Sequence, residues 1–226
     1  MLPMLSRTLR LSALLLALSF APTGDARPTV LPLHSPVALA TTSATAAPQT
    51  TAQVIYDRSD EQEVERLLND ASLRTSLDFA RRLKGRPYVA ATLEVADPER
   101  LVVNLRGLDC ATLVETASAL AMTRREGKRR FADYCRNLER LRYFDGHVAG
   151  YTSRLHYLSF WMADHLRRKT IEEVVLPTNL TQPLHIDLHY MSRHAESYPM
   201  LRNHPERVRE IARLERKYSG NVGRFL

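Results

Sequence analysis

The sequence contains few cysteines, glycines and tryptophans. Among 226 residues there are two cysteines, eight glycines and a single tryptophan. Two cysteines cannot build the network of disulfides that replaces a core in small extracellular domains. A hydrophobic content of 44% is instead enough for a sizeable packed core. The composition therefore predicts a globular domain stabilised by apolar packing.

Long hydrophobic runs are also lacking. The apolar run "LSALLLALSF", residues 11–20, reaches about half of the roughly 20 residues that a membrane-spanning helix needs. Arg7 and Arg10 precede it and small residues follow, which is typical of a secretory signal peptide. Cleavage after Ala26 or after Ala40 fits equally well, and an uncleaved membrane anchor is the alternative. We therefore expect an exported protein, periplasmic or extracellular, with no integral membrane segment after cleavage.

Charge is missing from residues 38–53, which read "ALATTSATAAPQTTAQ". A stretch rich in threonine, alanine and serine buries too little apolar surface to offset the entropy of ordering, so it predicts a flexible tether. The sequence shows no later low-complexity segment and no internal repeat. We predict a signal peptide over 1–26, a linker over 27–53 and one domain over 54–226.

Negative charge is scarcer than positive charge. The sequence has 32 lysines and arginines against 25 aspartates and glutamates, a formal net charge of +7. Such an excess favours anionic surroundings, such as a cell-wall polymer, a membrane surface or nucleic acid. Export makes nucleic acid the least fitting of these, and we expect no nucleic-acid partner.

The spacing of apolar residues predicts a mostly helical chain. In the first predicted helix, "SDEQEVERLLNDA", Ser59 is the predicted N-cap. In the predicted helix over 153–169, one face is formed by four apolar residues, Leu155, Leu158, Met162 and Leu166. The predicted helices cover 59–71, 73–83, the segment after Asp109, 128–144, 153–169 and 204–218, and the predicted extended segments cover 86–95, 100–105 and 184–190.

One stretch, "GLDCATLVETASALAM" at residues 107–122, combines a helix start with a cysteine. Asp109 is a favoured N-cap, which makes Cys110 the first helical residue. Unpaired backbone amides and the positive end of the helix dipole stabilise a thiolate there and suit an oxyanion formed in acyl transfer. Local chemistry leaves three interpretations: a nucleophile, half of a disulfide with Cys135, or a small core residue.

The segments around Cys110 favour one of these three interpretations. "GRPYVAATLEVADPERLVVNLRGLDCATLVETASALA", residues 85–121, resembles the DUF1460 family, an amidase branch of the NlpC/P60 cysteine peptidases, and the resemblance continues through 145–164 and 189–201. It implies that Cys110 is the nucleophile and that Tyr88 helps to position the thiol or the substrate. It also implies a papain-like α+β fold, no cofactor, and cleavage of the amide between N-acetylmuramic acid and L-alanine in peptidoglycan fragments.

Two departures from the family pattern affect this expectation. Phe160 stands where the family usually has an aspartate, in a run like H-Y-F-S-D-W. The family's catalytic histidine lies in a later strand, after a G-D segment, and the sequence ends at Leu226 before either appears. We therefore expect a C-terminally truncated member that keeps the helical half, lacks most of the β-sheet half and exposes the helix face that the sheet covers.

A cysteine that attacks an amide needs a base within about 2.6–3.2 Å. His156, in "SRLHY", is the best substitute by position, although a histidine on an amphipathic helix more often has a structural role. The predicted site therefore consists of Cys110, His156 and Tyr88. The alternative function is a truncated, non-catalytic envelope protein that binds cell-wall fragments or a protein partner.

A metal site was the remaining hypothesis. His185, Asp187 and His189 alternate along a predicted strand and His194 follows. Zinc sites show tighter spacing, and alternation on a half-buried strand accounts for the same residues. We predict no metal ligands and no cofactor.

Overall fold

A computed structural model describes residues 54–174 and 177–225, so the predicted signal peptide and linker lie outside the described residues. Within that part of the chain the elements alternate between helices and short strands. The helices are α1 Arg58–Asn69, α2 Ser76–Arg82, α3 Cys110–Arg125, α4 Phe131–Arg142, α5 Leu158–Arg167, α6 Tyr190–Arg193 and α7 Pro205–Tyr218, and the strands are β1 Val54–Ile55, β2 Leu101–Val102, β3 Gln182–Ile186 and β4 Gly220–Phe225.

The strands form two small ladders. β1 runs parallel to β2, with Val54 opposite Leu101. β3 runs antiparallel to β4, with a register shift between Leu184 and His185. A mostly helical chain with little sheet is consistent with the predicted α+β class.

Helix α3 lies at the centre of the core. Ten of its 16 residues are buried, and α1, α2 and α4 all contact it. Leu67, Phe79, Leu120 and Leu138 are buried from these four helices. Burying one such side chain contributes about 1.5–3 kcal/mol, so this helix cluster supplies much of the hydrophobic stabilisation.

An arginine at the end of α4 ties α3 to the parallel ladder. Arg142 Nε donates to Glu115 Oε2 at 2.7 Å, and its Nη1 donates to the carbonyl of Val102 at 2.6 Å. Both side chains are buried. The guanidinium therefore joins α3, α4 and β2 at one point in the core.

A second buried arginine holds the loop between α2 and β2. Arg154 Nη2 donates to Glu99 Oε2 at 2.7 Å, and its Nη1 donates to Glu94 Oε1 at 2.6 Å. The Tyr143 hydroxyl donates to the other Glu99 oxygen at 2.7 Å. Charges removed from water in this way are stable only while each keeps its partner.

The start of α1 differs from the prediction. Asp57, rather than Ser59, is the N-cap, and it accepts the Ser59 amide at 2.8 Å. Asp60 closes the capping box and also accepts the Leu105 amide at 2.9 Å. Aspartate competes well with serine as an N-cap, and the earlier start places Asp60 where its second oxygen satisfies a buried amide.

Helix α2 starts later than predicted, because Thr75 caps it and Leu73 is buried ahead of it. Two other helices agree with their predictions. α4 buries Cys135, which is 4% exposed, and α7 begins at Pro205. Proline has no amide to leave unpaired at the first helical position.

Helix α5 begins at Leu158, later than predicted, and presents a different face. Leu158 is 63% exposed, whereas the buried residues are Phe160, Trp161, Asp164 and His165. A bridge between Tyr143 and Arg154 keeps the preceding chain extended. The helix then turns its larger aromatic side chains into the core, so the predicted leucine face was wrong.

Phe160 fills an aromatic cluster. Its ring centroid lies 5.7 Å from that of Phe144, 4.9 Å from that of Tyr157 and 5.0 Å from that of Tyr218. Phe160 is completely buried. The position where the resembling family carries an aspartate is here part of the apolar core.

The predicted strand over 184–190 is confirmed only in its first part. β3 ends at Ile186 and Tyr190 begins α6. The Leu188 amide donates to the Ser219 hydroxyl at 2.9 Å instead of continuing a ladder. Side-chain hydrogen bonds of this kind compete with strand pairing and end the strand.

Candidate functional site

Cys110 is the first residue of α3 and its thiol is exposed. Asp109 caps the helix: its carboxylate accepts the Thr112 amide at 2.8 Å, and its own amide donates to the Thr112 hydroxyl at 2.8 Å. The predicted cap is confirmed. It fixes the cysteine on the first turn, where backbone N–H groups have no helical partner.

A backbone bridge holds Tyr88 beside this turn. The Val89 amide donates to the Leu108 carbonyl at 3.2 Å, and the Leu108 amide donates to the Pro87 carbonyl at 3.1 Å. The Tyr88 side chain is 74% exposed. The structure thus places the tyrosine and the cysteine on neighbouring segments, with the aromatic ring open to solvent.

Gly107 allows these two segments to approach. A Cβ atom at this position would lie 2.7 Å from Val89 Cγ2 and 3.0 Å from Val89 Cβ. Asn104 Oδ1 accepts the Arg106 amide at 3.0 Å and shapes the turn that leads into Gly107. Sequence reasoning missed this role, since only the partner segment shows why a side chain is excluded.

The two predicted residues line one groove of about 530 Å³ between α2 and the start of α3. Its floor is mainly apolar and its rim carries basic side chains. The floor comprises Leu77, Ala80, Leu83, Leu108 and Leu113, and the basic residues are Arg81, Lys84 and Arg86. The basic residues lie in the last turn of α2 and around the turn at Gly85. The sequence shows these cations, but it does not show that they line the same groove as the cysteine.

His156 lies elsewhere. Its Nε2 is 2.9 Å from the Tyr151 carbonyl, and the two rings are 4.5 Å apart between centroids. Burial, reinforced by the nearby Arg154 cation, lowers the pKa of His156 to about 3. Among the described residues that line the Cys110 groove there is no histidine. The structure brings together Cys110 and Tyr88 but not His156.

A second histidine is also held in the core. His165 is fully buried, and its Nε2 lies 3.0 Å from the Leu141 carbonyl. Burial lowers the pKa of His165 to about 4. The side chain is therefore neutral near pH 7, with the Nε2 proton donated to the carbonyl.

The two cysteines are both free thiols. Cys135 is buried in α4, and burial raises the pKa of its thiol to about 12, with Glu61 adding to the rise. The disulfide interpretation of Cys110 is therefore not realised in the structure. The exposed position also excludes the interpretation of Cys110 as a core residue.

Within residues 54–174 and 177–225, no group of three or more histidine, cysteine, aspartate or glutamate side chains is placed to hold a metal ion. His189 and Asp187 do approach each other, with Nδ1 3.3 Å from Oδ2. No helix in the described residues is long and apolar enough to span a membrane.

The family model of the AmiA-like, N-acetylmuramoyl-L-alanine amidase-like proteins matches residues 78–224, which include every described residue of the Cys110 groove lining except Leu77. This chain belongs to the AmiA-like family. None of the curated proteins matches the chain.

Solved structures agree with the AmiA-like assignment. A crystal structure of an N-acetylmuramoyl-L-alanine amidase from Bacteroides uniformis is 36% identical over 65% of this chain and 61% of its own, with a TM-score of 0.58. A second crystal structure with the same name and source gives a TM-score of 0.56 at 36% identity, over 65% of this chain and 60% of that one.

A Bacteroides fragilis protein, proposed to be a xylanase, is 39% identical over 60% of this chain and 58% of its own, with a TM-score of 0.50. The AmiA-like chain thus spans 58–61% of the length of these relatives.

Proposed function

We propose that this AmiA-like protein is an exported cysteine amidase of the NlpC/P60 type that cleaves the amide between N-acetylmuramic acid and L-alanine in peptidoglycan fragments. The observation that carries the proposal is the exposed Cys110 thiol on the first turn of α3, in a groove shared with Tyr88. The amidase-like family and the N-acetylmuramoyl-L-alanine amidase neighbours support this substrate class.

In the proposed reaction the Cys110 sulfur attacks the amide carbonyl carbon and its proton passes to a base. Backbone N–H groups at the start of α3 stabilise the tetrahedral oxyanion. The C–N bond then breaks, the base returns the proton to the leaving alanine nitrogen, and a thioester remains. Water hydrolyses the thioester to the free muramic-acid carboxylate and regenerates the thiol.

The proposal requires a base for this proton transfer. His156 remains a predicted candidate, and it would have to leave the Tyr151 carbonyl to reach the groove. A histidine from outside the described residues is the other source compatible with the mechanism. Tyr88, exposed on the groove wall, is assigned to positioning the substrate.

The test is incubation of purified protein with N-acetylmuramoyl-L-alanyl peptides, followed by mass spectrometry of the released sugar acid and peptide. We expect Cys110→Ala to lower turnover by about a thousandfold or more while leaving the melting temperature unchanged. Cys135→Ala is the matched control and should keep its turnover per folded molecule. Equal rates for wild type and Cys110→Ala would falsify the nucleophile assignment.

A His156→Gln variant separates the two sources of the base. Loss of turnover in a folded variant supports His156 as the base. Unchanged turnover removes His156 from the mechanism and assigns the proton transfer to another group. The sulfur's role is tested independently by Cys110→Ala, so the two assignments stand or fall separately.

A second candidate function is a non-catalytic envelope protein that binds cell-wall fragments or a protein partner. It is favoured by the lack of a histidine among the described groove residues and by exposed apolar side chains beside Cys110. Leu77 is 57% exposed and Val114 is 43% exposed. Binding of muramyl peptides by folded wild-type protein without turnover would favour this function over the amidase.

A further inference from the structure

The rim of the Cys110 groove is strongly basic on the side formed by α2. Arg81 lies in the last turn of that helix, and Lys84 and Arg86 flank the turn at Gly85, where φ is +91°. All three side chains are exposed. Three cations within six residues therefore line a groove that also contains the thiol.

The three cations differ in their partners. Arg86 is paired, because its Nη2 lies 2.9 Å from Glu63 Oε1. Arg81 and Lys84 form no ion pair within 4.0 Å among the described residues. Hydrogen bonds from Thr75 lower the pKa of the nearby Asp78 carboxyl, and the charge of Arg81 adds to this effect. Arg81 and Lys84 therefore leave a local excess of positive charge on this side of the groove rim.

Among the described residues, the opposite side of the groove carries one carboxylate, which lies at the cap of α3. Asp109 is the acidic residue in the described lining. At the cap of α3 its carboxylate accepts the Thr112 amide, and its backbone amide donates to the Thr112 hydroxyl. The first turn of α3 adds the positive end of a helix dipole on the same side as the thiol. A carboxylate in the groove therefore meets two cations that form no ion pair within 4.0 Å in the described part of the chain, whereas the Asp109 carboxylate is held at the cap of α3 by Thr112.

We propose that Arg81 and Lys84 bind a carboxylate of the substrate, so that the groove selects acidic peptide stems over amidated ones. The inference rests on the proposed function for the identity of the substrate and extends it to substrate selection. The apolar floor accommodates the small alanine side chain, while the basic wall takes the carboxylate farther along the peptide. Arg81 and Lys84 are thus specificity-determining residues rather than members of the reacting group.

The probe pair is N-acetylmuramoyl-L-alanyl-D-glutamate and N-acetylmuramoyl-L-alanyl-D-isoglutamine, which differ by one carboxylate replaced with a carboxamide. Binding of each is measured by calorimetry to the Cys110→Ala protein, in which turnover is blocked. We expect the acid to bind about five- to tenfold more tightly than the amide, since contacts of an exposed carboxylate with cations are modest. The preference should shrink as sodium chloride is raised, because salt screens exposed charges.

The variants Arg81→Ala and Lys84→Ala should each lose part of the preference, and the double variant should lose most of it. Arg82→Ala is the matched control, because Arg82 is an exposed cation in the same turn of α2 that does not line the groove. It should keep both the preference and the turnover. Inorganic phosphate serves as a competing simple anion and should displace the acid only weakly.

Equal affinity for the two probes, or no binding of either, overturns the inference. A preference that survives in the double variant also overturns the inference. So does a preference that Arg82→Ala removes equally, because it would then depend on the overall positive charge near α2 and not on Arg81 and Lys84. Full displacement of the acid by phosphate would also count against the inference, because the site would then bind a simple anion as well as the peptide carboxylate. Failed turnover in wild type with an intact binding preference sinks the amidase proposal alone.

Discussion

The first turn of helix α3 and the turn that follows it are held in opposite ways. At the start of the helix Cys110 is exposed in a groove whose unpaired cations, Arg81 and Lys84, lie in the last turn of α2 and just after it. About one turn later Glu115 is buried and bound by Arg142, which also anchors the Val102 carbonyl. The reactive turn is therefore followed directly by contacts that stabilise the fold, and the exposed rim residues can be altered without removing those contacts.

The largest expected contrast is between the two thiols. Burial raises the pKa of Cys135 to about 12 and also shields it, whereas Cys110 is exposed. At pH 8, iodoacetamide should modify Cys110 about a thousandfold faster than Cys135. Peptide mass spectrometry against time gives both rates. Comparable rates in folded protein would contradict the separation of reactive and structural cysteines.

The buried ion pairs should carry the next largest effect. Arg154→Met leaves the buried Glu99 carboxylate and the half-buried Glu94 carboxylate without a cation. We expect a loss of about 3–5 kcal/mol in the free energy of unfolding, measured by urea denaturation. Arg213→Ala removes an exposed arginine that pairs with Glu210 and should cost less than about 1 kcal/mol. Similar losses for the two variants would show that burial is not what makes these pairs important.

Acid should weaken the core through His165. Burial lowers its pKa from 6.5 to about 4, so between these values the unfolded chain binds a proton that the folded chain refuses. Stability is thus fully present above pH 6.5 and falls as the pH drops to 4, by about 3 kcal/mol from this side chain.

The check is urea denaturation of wild type and His165→Gln across that range. The glutamine does not titrate, so the variant should lose less stability on acidification than wild type, although it starts lower at pH 7. Parallel pH curves for the two proteins would rule out His165 as a source of acid sensitivity.

The smallest expected effect tests the approach of the two groove segments. Gly107→Ala places a methyl group against Val89 and should displace the Tyr88 segment. We expect turnover or probe affinity to fall about tenfold while stability changes by about 1 kcal/mol. Gly127→Ala provides the opposite control: φ is +75° and no atom lies within 4 Å of the added carbon, so it should cost stability without affecting the groove.

The sequence was most informative where a local rule decides the structure. The Asp109 cap, the helical start at Cys110 and the first position of Pro205 follow from backbone donors that need a partner. Tyr88 and Cys110 were expected together from the family resemblance, and the structure places them in one groove.

Long-range contacts explain what the sequence could not show. The face of α5 depends on the bridge between Tyr143 and Arg154, and the end of β3 depends on Ser219, 31 residues away from Leu188. The basic wall depends on how α2 lies against α3. The base for Cys110 was sought at His156 by position alone, and that assignment remains a prediction.

The aromatic cluster around Phe160 also bears on how this family member can evolve. Three rings enclose the side chain, and its exposure is zero. Replacing it with aspartate would bury an unpaired carboxylate and cost several kcal/mol. A selection for folded Phe160→Asp protein should therefore recover it only together with a change at Phe144, Tyr157 or Tyr218.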